Sequence, residues 1–92
     1  MPVIRRAINM HRFGEKLRTL RQRRGLTLQE LSAEFGMSAH AHLGRIELGR
    51  KIPSAELILT IADYFDVSID RLMRDGLELL PGDGLADGPD GA

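Results

Sequence analysis

Apolar residues recur along this chain at helical spacing. Phe13, Leu17 and Leu20, spaced by four and three, predict a helix over residues 12–24. Its Lys16, Arg18, Arg23 and Arg24 are expected to point mostly outward, and Gly25 is the stop. Thr27-x-x-Glu30 reads as a capping box opening a second helix, with Leu31 and Phe35 on one face. Gly36 ends that helix, Met37 turns inward, and Ser38 is the predicted cap of a third helix over residues 39–48. Leu43 and Ile46 form its inner face. Pro53 bars helix before it, and Ser54 caps a fourth helix running to about Phe65. Leu57, Ile58, Ile61, Ala62 and Phe65 make this the expected most buried element. Ser68 caps a short fifth helix with Ile69 and Leu72 inward, stopped by Gly76. No strand pattern appears. The expected fold is all-α, a compact five-helix domain over residues 12–76, between an N-terminal arm (1–11) and a disordered acidic tail (77–92) rich in Gly, Asp and Pro.

Two short helices around a tight glycine turn, with Arg50 and Lys51 just beyond, form the pattern of a DNA-reading helix-turn-helix. Charge supports that reading. The net charge of zero conceals an asymmetry: residues 1–51 hold eleven Lys/Arg against four Asp/Glu, a surplus of seven positive. Residues 52–92 hold two against nine, a surplus of seven negative. Such a split suggests that the basic half meets an anionic polymer. Arg5 and Arg6 in the arm add to the basic half, as a reach toward phosphate or as a frayed end. Arg21 and Glu47 each lie one step off an apolar stripe near a helix end. They are predicted to meet as a partly buried, structural ion pair.

Other classes fare worse. With no cysteine, disulfides and Cys-ligated zinc are excluded. His40 and His42, two apart on a helix, do not face each other, so no metal or other cofactor is expected. No Ser/His/Asp arrangement, phosphate-cradling glycine loop or paired carboxylates suggests an enzyme. Neither a membrane-length apolar run nor a secretory leader is recognisable, so a cytoplasmic protein without a membrane partner is expected.

Taken together, Phe13, Leu17, Leu20, Arg21, Gly25-Leu26-Thr27, Glu30-Leu31, Phe35-Gly36-Met37-Ser38, Leu43-Gly44-Arg45-Ile46-Glu47-x-Gly49, Pro53-Ser54, Leu57, Ile61-Ala62, Phe65-Asp66-Val67-Ser68 and Leu72 resemble the Cro/lambda-repressor (XRE) family of helix-turn-helix regulators. The resemblance spans about residues 13–74. It implies a sequence-specific transcriptional regulator, expected to be a repressor, that places helix 39–48 in the major groove of double-stranded DNA as a homodimer. By position it implies base contacts from Ala39, His40, His42 and Arg45. Phosphate contacts fall to Ser38, Gln29, Arg18, Arg50 and Lys51. The dimer contact is expected on the fifth helix, the Leu77–Leu80 patch or the Val3–Ile8 segment.

Two departures qualify this. Leu28 stands where many members carry Gln. Four residues rather than three separate Ser38 from Leu43, and one extra residue rotates a helix by about 100°. Either the turn absorbs it, or the base-facing register shifts. The alternative function is a protein-interaction adaptor or antitoxin-like subunit with the same fold and weak DNA binding.

Overall fold

The computed structural model describes residues 10–37 and 40–85. The arm up to residue 9, Ser38, Ala39 and the last seven residues lie outside the described part. Among the described residues five helices follow one another and there is no strand. They are α1 (Phe13–Arg23), α2 (Leu28–Glu34), α3 (Ala41–Glu47), α4 (Ala55–Phe65) and α5 (Ile69–Met73).

The local signals act as the sequence implies. At α2, Glu30 N–H donates to the Thr27 hydroxyl (3.0 Å) and Thr27 N–H to the Glu30 carboxylate (2.9 Å). Ser54 and Ser68 accept from Leu57 N–H and Arg71 N–H at 3.1 Å each, opening α4 and α5. Gly25 and Gly36 take positive φ at the ends of α1 and α2. Gly76 does not stop α5, which ends three residues earlier at Met73. Inside, Phe13, Leu17, Leu20, Leu31, Leu43, Ile46, Ile58, Ile61, Ala62, Phe65, Val67 and Leu72 form one buried cluster.

The ends of the domain are fastened by contacts that helical periodicity does not reveal. α1 has no side-chain cap of its own. Instead the Asp75 carboxylate accepts from the backbone N–H of His11 (2.9 Å) and Arg12 (2.8 Å). Free amides at the helix start are thus satisfied from more than 60 residues away.

Lys16, expected to point outward, is 1% exposed. Its ammonium donates to the carbonyl oxygens of Arg71 (2.5 Å), Arg74 (2.7 Å) and Leu77 (2.6 Å). Arg71 lies in α5, Arg74 caps its end and Leu77 follows it, so one cation fastens the end of the helix and the chain beyond it to α1. Replacing Lys16 with Met should lower unfolding free energy by about 2 kcal/mol, because buried acceptors are left unpaired. Urea unfolding reads this, with faster amide exchange in residues 69–80 as the local signature.

The stretch from residue 77, expected to begin a disordered tail, lies along α1 as far as Leu85. Arg23, expected to be merely solvated, donates to the carbonyls of Leu80 (2.7 Å) and Asp83 (2.8 Å). Arg24 donates to the carbonyls of Gly84 and Tyr64 and lies 5.0 Å from the Tyr64 ring centroid. Arg12 pairs with Glu78 at 2.7 Å. Leu79 packs on the core, while Leu77 and Leu80 remain exposed. Composition suggested disorder because Gly, Asp and Pro dominate from residue 81 onward. It is held mainly through its backbone carbonyls, which composition does not register.

Candidate nucleic-acid interface

α2, the turn at Gly36 and α3 form the helix-turn-helix. Gly36 (φ 71°) lets Met37 N–H return to the Ser32 carbonyl at 2.9 Å, closing α2. α3 does not begin at residue 39. It starts at Ala41, with His40 as an N-cap that makes no side-chain capping bond. The reason lies in the core. Leu43 and Ile46 are essentially fully buried, and that burial fixes the rotation of the helix. From Ala41 onward the helix is therefore set by its buried face. The expected cap Ser38 and base reader Ala39 fall outside the described residues.

Ala41 and Arg45, four apart and both exposed, lie on the same outer stripe. His40 is exposed at the entry of α3. His42 lies one turn before the buried Ile46 and is half-buried. It lines an open groove with Phe35, Met37, Ser54, Leu57 and Thr60, beside the start of α4. His42 is thus partly covered, whereas Ala41 and Arg45 are exposed.

α3 is held on two sides. At its C-terminal end the predicted ion pair is present: Arg21 donates bidentately to Glu47, Nε to Oε2 at 2.7 Å and Nη2 to Oε1 at 3.0 Å. Arg21 Nη1 also reaches the Leu26 carbonyl at 2.9 Å. This ties α1, the α1–α2 loop and α3 into one body. The Glu47 hydrogen bond raises the proton affinity of the Arg21 guanidinium still further, so this group keeps its charge.

Near the middle of α3, Gly44 faces Leu28 of α2. A Cβ built on Gly44 would lie 3.5 Å from the Leu28 methyl, an ordinary contact. Gly44→Ala should therefore fit and raise stability by about 0.5–1 kcal/mol through backbone entropy and helix propensity. Thermal unfolding checks the gain, and DNA retention should be unchanged. Leu28 here serves packing, partly buried against the core.

The basic surplus divides cleanly. Arg12, Lys16, Arg21, Arg23 and Arg24 are engaged within the fold. Arg18, Arg45, Arg50 and Lys51 are exposed, and none makes a side-chain hydrogen bond or ion pair to another described residue. Arg50 and Lys51 follow Gly49 (φ 79°), and Arg50 N–H caps α3 through the Arg45 carbonyl at 2.8 Å. Arg18 lies on the stripe of α1 that carries Gly14 and Arg21, beside α3. Gln29 is exposed in the first turn of α2. Arg45, Arg50 and Lys51 thus stand on or just beyond one short helix, with Arg18 on the neighbouring one. Composition alone could not separate these cations from those spent on carbonyls.

An all-helical domain with a glycine-turned helix pair and unpaired cations around the second helix defines a helix-turn-helix protein of the DNA-binding regulator class. The chain belongs to the helix-turn-helix domain family, whose model matches residues 12–74. It is similar to RghR of Bacillus subtilis (strain 168), an HTH-type transcriptional repressor. The identity is 38% over 65 residues, covering 70% of this chain and 47% of RghR. It is similar also to YazB of the same organism, an HTH-type transcriptional regulator, with 35% identity over 60 residues, 65% of this chain and 86% of YazB. BcrR of Enterococcus faecalis, an HTH-type transcriptional activator, is 35% identical over 68 residues, 74% of this chain and 32% of BcrR. The chain thus spans about half of RghR and a third of BcrR. No solved structure gives a significant match. Among the described residues, no helix is long and apolar enough to cross a membrane.

Proposed function

We propose that this protein is a sequence-specific transcriptional repressor of the cytoplasm that binds double-stranded DNA as a homodimer, without a cofactor and without catalysis of its own. The observation that carries the reading is the set of unpaired cations grouped around α3. In this reading the Ala41–Arg45 stripe enters the major groove with His40 at its entry. Arg45 is the base reader, because its guanidinium fork matches guanine O6 and N7. Arg50, Lys51, Arg18 and Gln29 hold phosphates and set the orientation. Ser38 and Ala39 adjoin the same end of the helix in sequence. His42 contributes through its groove beside α4 rather than by reading bases. Repression follows the likeness to RghR.

Binding to a duplex enriched from a random-sequence pool tests this. Affinity should fall steeply and log-linearly with salt. Arg45→Ala should reduce preference for that duplex over random DNA by about 1–3 kcal/mol. Lys51→Ala should weaken both alike and lower the salt slope by about one. No enrichment over random DNA at low salt would defeat the proposal. Recovery of a stoichiometric protein partner in that case would favour the adaptor or antitoxin-like alternative.

A further inference from the structure

The family model ends at residue 74, yet the chain continues along α1 to Leu85 as a strap. The strap covers a basic face that α3 does not share. Lys16, Thr19 and Arg23 fall on one stripe of α1, with Arg12 at its N-cap. Gly14, Arg18 and Arg21 fall on another, about half a turn away, where Gly14 and Arg21 meet the end of α3. The buried Leu17 and Leu20 lie between the two. A duplex seated on α3 meets the second stripe and not the first.

Cations hold the strap more than a core of its own does. Arg23 donates from Nη1 alone, to the Leu80 and Asp83 carbonyls. Arg24 reaches the Gly84 carbonyl, and Arg12 pairs with Glu78. The apolar anchors are Leu79, partly buried, and Gly84, buried at φ 84° against Leu20 and Phe65. Leu77, Glu78, Leu80, Pro81 and Gly82 are exposed. A segment with so few buried contacts opens at low cost. A gap of about 190 Å³ already separates Arg12, Glu15, Thr19 and Arg23 from Glu78 and Leu79. The carbonyls that Arg23 holds are neutral acceptors. A phosphate offers two charged oxygens to the same guanidinium fork, a stronger partner.

We propose that the strap is a displaceable cover over a second phosphate-binding face of the protein, and that nucleic-acid backbone is the partner that competes with it. In place, the strap confines nucleic-acid binding to the α3 face. Displaced, it removes the Glu78 and Asp83 carboxylates together with the carbonyls. Arg23 is then released outright, because all its printed partners belong to the strap. Arg12 keeps Glu15, and Arg24 keeps the Tyr64 carbonyl, so these two add less. The face binds backbone without reading bases, since nothing on it is shaped to enter a groove.

The inference stands whether or not α3 reads sequence. Leu79→Ser/Gly84→Val in the full chain should open the strap without changing its charge. The first change removes an apolar anchor. The second places a Cβ 2.7 Å from a Leu20 methyl, at a φ that valine rarely adopts. Helical content should be retained, while the Leu80 and Asp83 amides, which bond within the strap, should exchange faster. Random-sequence duplex should bind about fivefold tighter at low salt, with a log–log salt slope steeper by about one to two. Arg23→Gln in the opened chain should remove most of that gain, and Arg45→Ala should leave it. One measurement needs no opened variant: excess random duplex at low salt should speed Leu80 and Asp83 exchange in the wild-type chain. The proposal is overturned if it does not, if the opened chain binds random duplex like wild type, or if the gain survives Arg23→Gln. It is equally overturned if the strap amides stay protected in the double variant. A chain that prefers no duplex sequence, yet gains affinity through Arg23 on opening, would uphold this face and sink the base-reading role of α3.

Discussion

Glu47→Ala should lower the unfolding free energy by about 3–5 kcal/mol, the range for removing one partner of a buried ion pair. The Arg21 and Glu47 side chains are only 13% and 6% exposed. Removing the carboxylate leaves a guanidinium that cannot shed its charge. Its Nη1 still reaches the Leu26 carbonyl, but Nε and Nη2 lose both their acceptors. The larger part of the loss is therefore an uncompensated buried cation, not a missing attraction. That assignment has its own test. The double variant Arg21→Met/Glu47→Leu, which removes both charges and keeps volume, should recover most of the stability. Urea unfolding of the wild type, both single variants and the double variant gives the comparison. If Glu47→Ala costs less than about 1 kcal/mol, the pair behaves as a solvated surface bridge and the burial argument fails.

Gly14→Ala should cost about 3 kcal/mol, at the upper end for overpacking. A Cβ built on Gly14 would lie 2.3 Å from the Ile46 carbonyl oxygen and 2.5 Å from that of Glu47. These are backbone atoms at the end of α3 and cannot swing aside as a side chain can. Alanine favours helix over glycine by about 1 kcal/mol, which is too little to offset the clash. Relief requires α1 and α3 to separate, and that strains the Arg21–Glu47 bridge one face away. DNA affinity should therefore fall further than stability alone explains, because Arg45 and Lys51 move with the end of α3. The contrast with Gly44→Ala makes the test sharp. Both substitutions add one methyl group to a helical glycine; one meets backbone and the other a methyl at ordinary distance. Equal melting temperatures for the two variants would contradict this account.

The interface was legible in the sequence in its scaffold and less so in its surface. Thr27 and Glu30 announce the start of α2, Gly36 its end, and Leu43 with Ile46 the inner face of α3, because each acts through local backbone chemistry or periodic burial. Even Arg21–Glu47 could be anticipated, since both residues border an apolar stripe. The start of α3 could not. Whether the extra residue before Leu43 rotates the helix or sits in the turn depends on Leu43 and Ile46 finding their places against α1. For the same reason His42 and Arg45, equal candidates on paper, face different neighbours.

The sequence by itself determined the five described helices, the N-terminal caps of α2, α4 and α5 and most of the core, for these follow from spacing and from side-chain to backbone bonds within a few residues. Tertiary structure alone decided the fate of the cations. Lys16, Arg23 and Arg24 meet carbonyls some 40 to 60 residues away, whereas Arg45, Arg50 and Lys51 meet none. A carbonyl is present at every residue and leaves no trace in the amino-acid code. Which cations are consumed by the fold, and which remain for a phosphate, is settled only when distant backbone is brought alongside them.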